Sequence, residues 1–320
     1  MTGPIGVLAM AYGTAAGPED VERYYTDIRG GRPPSPDLLR DLQHRYEAIG
    51  NRFPLLQITR RQASALERAL NEEDPRRFRV FLGMKHSPPF IREGVREMQA
   101  EGIFRGVGLV LAPHYSRLSV GSYLEGVQSA LAEEMPDGAR AVPSFTYVKS
   151  WHDHPLFIDA LADRVRVALG RLSPEEAAGA VVVFSAHSLP ARILDEADPY
   201  PGQLQETADL TARRLGLTQP HLTAWQSAGR TPEPWLGPDL GEVIRDLAAK
   251  GHRAVVVCAC GFVSDNLEIL YDLDVEARHI ADEAGIRLER TESMNDDPAF
   301  IRALVGVVRD HVAARASTGS

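Results

Sequence analysis

The stretch AVVVFSAHSLPARILDEADPY, residues 180–200, decides the fold class of this chain. Its residues 181–184, VVVF, form an unbroken run of β-branched and aromatic side chains. Such a run is typical of a strand buried on both faces, as in a parallel sheet covered by helices. His187 follows this run, and ligands of open α/β sheets bind just outside the carboxyl ends of the strands. His187 is therefore a candidate for chemistry, although a lone histidine at a strand end more commonly serves its own loop.

The composition indicates a globular protein with room for two domains, since 320 residues with 44% hydrophobic content exceed the size of one ordinary core. Lys and Arg number 35 against 44 Asp and Glu, so the net charge is −9. Without a Lys/Arg tract, this balance argues against a nucleic-acid partner. The sequence contains no run of about 18 apolar residues and no basic flank before residues 5–10. We therefore expect a cytoplasmic protein without stable membrane insertion.

Apolar strands, polar strand ends and amphipathic helices alternate along the chain, which predicts an α/β fold with parallel sheets and crossover helices. The predicted strands are 5–10, 79–83, 107–111, 142–147, the strand ending at His187, 221–225, 254–258 and 286–290. The predicted helices are 19–28, 37–49, 59–71, 119–134, 156–169, 204–215, 240–250, one from Ser264 and one from Pro298.

The segment GFVSDNLEILYDLDVEA, residues 261–277, predicts a helix with Ser264 as its N-cap. At 3.6 residues per turn, four carboxylates fall on one face: Asp265, Glu268, Asp272 and Glu276. Like charges four residues apart destabilise a helix by about 0.2–0.5 kcal/mol per pair. The helix dipole favours acids in the first turn but does not explain the last two. A row of oxygen ligands would suit a divalent cation, and a solvated face is the alternative.

Two other kinds of metal site are conceivable but are not favoured by the sequence. Strand-end histidines 86, 114 and 187 could supply a three-histidine zinc site, but their spacing contains no metal-binding pair. Cys258 and Cys260 lie in one apolar run, where buried, inert thiols are the simplest interpretation. Two cysteines cannot complete a four-cysteine iron–sulfur cluster, so we expect no cluster.

Several ordered motifs together resemble the ferrochelatase family, in particular its coproporphyrin III branch. They are AMAYGTA, APHYS, FSAHSLP, DPYPGQL, WQSAGRTPEPWLGPD and GFVSDNLEILYDLD, and the resemblance runs from about residue 5 to the last helix. Ala197 and Asn266 depart from the usual pattern at positions that leave the charged residues intact. The resemblance implies two Rossmann-like, chelatase-type domains that hold a porphyrin in an interdomain cleft. We assign the domains to 1–148 and 149–297, with helix 298–316 packing back on the first.

The resemblance also implies an activity, the insertion of ferrous iron, as a substrate, into a porphyrin with release of two protons in heme biosynthesis. It implies no prosthetic group. His187 matches the family's catalytic histidine, Glu268 its acidic partner and Tyr12 the tyrosine that faces the metal from the other side of the ring. With these three, Asp272 and Glu276 would contact the metal. The expected substrate-binding residues are Arg29, Arg45, Tyr46, Ser119 and Tyr123, with Arg32 nearby.

Coproporphyrin III is the expected porphyrin because its four propionates suit the arginine-rich region between the first two strands. The alternatives are a protoporphyrin IX ferrochelatase, a cobaltochelatase for another tetrapyrrole and a non-catalytic tetrapyrrole carrier. We expect a monomer that has transient contact with a coproheme-accepting enzyme.

Overall fold

The fold is described from a computed structural model that covers residues 3–133, 143–229 and 231–318. The chain forms two compact units. The first comprises Met1–His44, Asn51–Trp151 and Asn295–Ser320, and the second comprises Arg45–Gly50 and His152–Met294. The predicted domain limits at 148 and 297 stay a prediction.

The first unit contains a parallel sheet with the strand order β2-β1-β3-β4. Its strands are β1 (Ile5–Ala11), β2 (Phe78–Met84), β3 (Arg105–Val110) and β4 (Ser144–Val148). The helices in this part of the chain are α1 (Val21–Ile28), α2 (Pro36–Ala48), α3 (Leu55–Leu70), α4 (Ile91–Ala100), α5 (Ser122–Glu133) and α11 (Pro298–Thr318). Residues 45–48 of α2 group with the second unit. Helix α11 packs against α3.

The second unit has a parallel sheet of the same kind, with the order β6-β5-β7-β8. Its strands are β5 (Val181–His187), β6 (His221–Gln226), β7 (Ala254–Cys258) and β8 (Arg287–Arg290). Its helices are α6 (Pro155–Leu169), α7 (Pro174–Gly179), α8 (Tyr200–Leu215), α9 (Leu240–Ala249) and α10 (Arg278–Ala284), with a π-helix at Ile269–Ala277. The fold-class prediction of parallel, helix-flanked sheets is therefore confirmed.

Burial explains why the central strands read so clearly in the sequence. Every residue of β1 is buried, and so is every residue of β5 before His187. In the second unit, β-branched residues of β5 and β7 form one core with the apolar faces of α9 and α10, and in the first unit β1 packs with α4 and α5. Because both faces are covered, neither strand shows the alternation of a half-exposed strand.

The sequence patterns missed two helices and misplaced several ends. Helix α4, which contains Gly94, was not predicted. A Cβ at Gly94 would lie 2.6 Å from the Leu82 carbonyl oxygen, so the glycine permits the helix to lie close to β2. The short helix α7 was also missed. Residues 134 and 142, at the ends of a predicted helix and a predicted strand, lie outside the described residues.

Within the described ranges, no helix is both long enough and apolar enough to cross a membrane.

Gly261 brings the segment after β7 into contact with β5. A Cβ on Gly261 would lie 2.4 Å from the Ala186 Cβ and 2.8 Å from the Ala186 Cα, so any side chain there must displace the strand that carries His187. The Gly261 amide also donates to the Ser185 carbonyl at 3.1 Å. The two strand ends are thereby held together.

We predict that Gly261→Ala destabilises the protein by about 1–3 kcal/mol, the usual cost of overpacking a core. The measurement is the shift in the urea midpoint at constant slope. Gly202→Ala is the matched control, because Gly202 lies in α8 with no atom within 4 Å of the place a Cβ would take, and this variant should gain up to about 1 kcal/mol. Equal midpoints for the two variants would contradict the close approach.

Candidate functional site

His187 lies at the topological switch point of the second sheet. In the order β6-β5-β7-β8, the chain leaves β5 toward β6 and leaves the neighbouring β7 toward β8, so the two connections run in opposite directions. A crevice forms at such a point in open parallel sheets, and ligands bind there. The placement predicted from the run of residues 181–184 is therefore observed.

The loop around His187 fixes the orientation of the imidazole. His187 Nδ1 lies 2.5 Å from the Ser188 carbonyl oxygen, which can only accept a hydrogen bond. In the neutral ring, Nδ1 therefore carries the hydrogen and Nε2 keeps a lone pair. The buried Tyr200 hydroxyl donates to the His187 carbonyl oxygen at 3.0 Å, and Ser188 Oγ donates to the Leu236 carbonyl oxygen at 2.9 Å. His187 thus stands on a hydrogen-bonded frame.

The acidic helix begins later than the sequence predicted. Ser264 is not its N-cap. The Ile269 amide donates to Asn266 Oδ1 at 2.9 Å, and the first backbone bond joins the Leu270 amide to the Asn266 carbonyl. Asp265 therefore lies before the helix, where it accepts from Ser293 Oγ at 2.7 Å. The prediction that four carboxylates share one helix face was therefore wrong for Asp265.

The three remaining carboxylates still share one face, because of the π-helix Ile269–Ala277. Its hydrogen bonds join residues five apart, so positions four and five apart stack along it. Glu268, Asp272 and Glu276 keep this spacing, and their burial differs along the row. Asp272 is buried, Glu268 is half-buried and Glu276 is exposed. The row therefore leads from the exposed Glu276 to the buried Asp272, and the half-buried Glu268 lies at its other end.

Asp272 is the most perturbed carboxyl of this row. Its pKa is raised to about 7, mainly by burial and also by the charges of Glu268 and Glu276, while the hydrogen bond from Ser227 and the charge of Arg45 oppose the rise. Ser227 Oγ donates to Asp272 Oδ2. Near neutral pH, Asp272 can therefore exist both as an acid and as a carboxylate, which a cation would favour.

Arg45, predicted to bind substrate, contacts the acidic helix instead of standing alone. Its Nη1 lies 3.7 Å from Asp272 Oδ1, and its guanidinium lies 5.0 Å from the centre of the Tyr271 ring. The neighbouring Tyr46, also predicted to bind substrate, is 2% exposed. The contact between Arg45 and Asp272 was not foreseen, because 227 residues separate the two in sequence.

Tyr12 occupies the corresponding strand end in the first unit. It is 39% exposed and packs edge-on against His86, with ring centroids 4.6 Å apart. His86 Nδ1 lies 2.7 Å from Asp27 Oδ1, and burial lowers the pKa of His86 while this bond opposes the change. Gly13, at φ +106, permits the turn that follows Tyr12. Sequence reasoning missed Asp27, since nothing in its helix distinguished it from a surface acid.

The other predicted substrate residues of the first unit lie directly after α1, in the π-helix Arg117–Gly121 and on α5. Arg29 is exposed at the end of α1, over the Tyr25 ring at 5.9 Å. Ser119 Oγ is buried without a hydrogen-bond partner among the described residues. Tyr123 is buried, with the Lys85 ammonium 5.5 Å from its ring centre. Lys85 was also missed; burial lowers its pKa, and its Nζ donates to Ser122 Oγ at 2.7 Å.

Candidate metal ligands do not form a ready-made cage. Over residues 3–133, 143–229 and 231–318, no three His, Cys, Asp or Glu side chains are grouped to hold a metal ion. Cys258 and Cys260 are buried, as predicted, and burial raises the pKa of Cys258 to about 12 and that of Cys260 well above its usual value. Both thiols therefore stay protonated and poor ligands at neutral pH.

We predict that Asp272 makes folding less favourable as pH rises from about 4 to 7. Its pKa is raised to about 7 in the folded chain, so the unfolded chain releases the proton first, and stability is lost at up to about 1.4 kcal/mol per pH unit. Asp272→Asn should remove this slope. The measurement is the free energy of unfolding at pH 5, 6 and 7 in buffer with a metal chelator.

The control variant is Asp282→Asn, because Asp282 is exposed on α10, outside the acidic row. Its stability curve should run parallel to that of the wild type. Parallel curves for Asp272→Asn as well would contradict the buried, raised-pKa carboxyl.

Comparison with known proteins finds similar chains over nearly the whole length. The ferrochelatase family model matches residues 4–312. A coproporphyrin III ferrochelatase of Anoxybacillus flavithermus is 48% identical over 311 residues, covering 96% of both chains. One from Bacillus subtilis is 46% identical over 306 residues, covering 95% of this chain and 96% of the other.

The architecture extends to more distant proteins. The structure of SirB from Bacillus subtilis with Fe3+ superposes with a TM-score of 0.58, covering 96% of this chain and 95% of that chain, at 12% sequence identity. That likeness concerns the fold alone. The family match and the identities of 46–48% over nearly the whole length place the chain by sequence: it belongs to the ferrochelatase family.

Proposed function

We propose that this enzyme inserts ferrous iron into coproporphyrin III, giving coproheme and two protons, as a step of heme synthesis. The observation that carries the proposal is the 48% identity, across 96% of both chains, to a coproporphyrin III ferrochelatase. The strand-end histidine and the acidic row agree with this reaction, because it needs proton acceptors and ligands for a divalent cation.

His187 is the proposed proton acceptor. Insertion of Fe2+ breaks two pyrrole N–H bonds, forms metal–nitrogen bonds and releases two protons, so the charge balances without a redox step. A neutral imidazole accepts a proton through a free lone pair. Nδ1 is held by the Ser188 carbonyl, so Nε2 is the atom available for this role. The hydrogen bonds of the Tyr200 and Ser188 hydroxyls support this role, because they limit the movement of the loop that carries His187.

The acidic row is the proposed route of the iron. Glu276 is exposed and Asp272 buried, with Glu268 at the start of the π-helix. Carboxylate oxygens replace water on a hard cation, and several weak contacts in a row release the ion more easily than a closed cage does. The raised pKa of Asp272 supports this reading, since an arriving cation would displace a proton there. Tyr12 is the proposed metal contact from the first unit.

Charge-assisted bonds are the proposed basis of substrate choice. Coproporphyrin III carries four propionates, and guanidinium groups bind carboxylates in a matching fork. Arg29 is exposed and free of a carboxylate partner among the described residues, which suits this role. The buried Ser119 hydroxyl can also donate. Tyr46 and Tyr123 are buried, so they would contact the porphyrin through their hydroxyls or shape the wall of the binding site.

The alternatives are less well supported. The named relatives above act on coproporphyrin III by their names, so neither protoporphyrin IX nor a cobalt tetrapyrrole is favoured. A non-catalytic carrier would need no proton acceptor beside a row of carboxylates.

We further propose that the protein works in the cytoplasm as a monomer without a prosthetic group. It would pass coproheme to the next enzyme through a transient contact.

We predict that His187→Ala lowers kcat for iron insertion by about 10²-fold or more, the usual contribution of a general base. Coproporphyrin III binding, followed by fluorescence, should stay within about threefold of the wild type. The control is His279→Ala, because His279 is exposed on α10, where it pairs with Glu283. Near-normal turnover of His187→Ala would remove this residue from the mechanism.

Substrate choice gives a second prediction, for which kcat/KM is measured with coproporphyrin III and with protoporphyrin IX. The wild type should prefer coproporphyrin III, and added salt should reduce the preference. Arg29→Ala should raise the KM for coproporphyrin III and leave the KM for Fe2+ unchanged. Arg45→Ala should also raise the KM for Fe2+, because Arg45 contacts Asp272.

Each result tests a separate part of the proposal. Equal efficiency of the wild type on both porphyrins would overturn the substrate assignment and leave the family intact. An unchanged KM for Fe2+ in Arg45→Ala would show that the contact with Asp272 has no part in iron delivery.

A further inference from the structure

A cavity of about 590 Å³ opens in the first unit at the amino ends of its strands. Its walls come from the start of β1, β3 and β4, the turn before β2 and the last turns of α11. Tyr12 and His86 follow the carboxyl ends of β1 and β2, so they lie at the other edge of the same sheet. The volume falls within the range of about 300–1,000 Å³ that is typical of small-molecule sites.

The lining is strongly basic for a chain of net charge −9. Over the ranges that the structure describes, it holds Arg76, Arg77, Arg105 and Arg315 with one carboxylate, Asp74. Arg77 Nη1 already pairs with Asp74 Oδ2 at 3.3 Å. Neither Arg76 nor Arg105 pairs with any acid in the described part of the chain. At least two positive charges at the cavity therefore lack a counter-charge among the described residues.

Helix dipoles account for only part of this cluster. Arg315 lies in the last turn of α11, where a cation offsets the partial negative charge of the helix end. Arg105 is the first residue of β3, and Arg76 lies in a turn with φ +67, so neither belongs to a helix. A helix dipole therefore does not explain the presence of these two arginines at the cavity.

We propose that this cavity binds a compact multivalent anion, a small molecule bearing two or more phosphate or carboxylate groups, with Arg76 and Arg105 as its main contacts. A guanidinium fork binds either group through paired N–H donors. Ser144 also lines the cavity, where its hydroxyl donates to the Phe104 carbonyl oxygen at 3.3 Å. The site is separate from the residues proposed for porphyrin and iron, so it does not rest on the proposed function.

The test is isothermal titration calorimetry at low salt, in which the full-length protein is titrated with inorganic tripolyphosphate and, in parallel, with citrate. We expect one site with a Kd on the order of 10⁻⁵ M for the preferred anion, weakening as salt is added. Arg76→Gln/Arg105→Gln should weaken binding at least tenfold, and Arg105→Lys, which keeps the charge but loses the fork, should fall between. Stronger binding of tripolyphosphate assigns the site to phosphates, and stronger binding of citrate assigns it to carboxylates.

Two controls separate this cavity from other basic residues. Arg213→Gln removes an exposed arginine of the second unit, and Arg29→Ala removes one proposed to bind the porphyrin. Both should bind the anion as the wild type does. All these arginines are exposed, and an unchanged melting temperature of each variant verifies that it folds. Failure of both anions to bind, unchanged affinity in the double variant, or an equal loss in either control would overturn the proposal.

Discussion

The close approach of two strand ends in the second sheet is the constraint on which the candidate site depends. Gly261 leaves no room for a side chain beside Ala186, so the segment after β7 runs directly against the end of β5. Since β5 is buried on both faces, its end cannot shift to make space. The position of His187 is therefore set by packing at the residue before it, and the path toward the acidic helix starts from the same contact.

The acidic helix shows how a fold maintains an unfavourable charge pattern. Carboxylates four residues apart repel one another, and Asp272 is also buried, which together raise its pKa to about 7. The Ser227 hydroxyl and Arg45 only partly offset this. The apolar side of the same helix, with Ile269, Leu270 and Leu273 buried, keeps it in place. A site that must receive and then release a cation benefits from such incomplete compensation.

The two units repeat one plan with different chemistry at the strand ends. In both, the first strand of the unit in sequence lies between the second and the third in the sheet, and a polar loop follows its carboxyl end. The second unit places a histidine there and an acidic π-helix after its third strand. The first unit places Tyr12 there, supported by the hydrogen-bonded pair of His86 and Asp27. Equal topology thus supplies equivalent positions, and the side chains decide their use.

The sequence alone determined the parallel α/β architecture, since buried strands and crossover helices leave local patterns of apolar residues. It also determined the position of His187, because a polar residue after a buried strand must lie at a sheet edge. Its motifs identified the family. Only the tertiary structure decided what depends on distant neighbours: the late start of the acidic helix, its π-helical hydrogen bonds, the contact of Arg45 with Asp272 and the support of His86 by Asp27. The close fit of Gly94 against the Leu82 carbonyl is likewise a property of packing. Local sequence fixes periodicity, whereas burial, pKa values and contacts between remote side chains arise when the chain has folded.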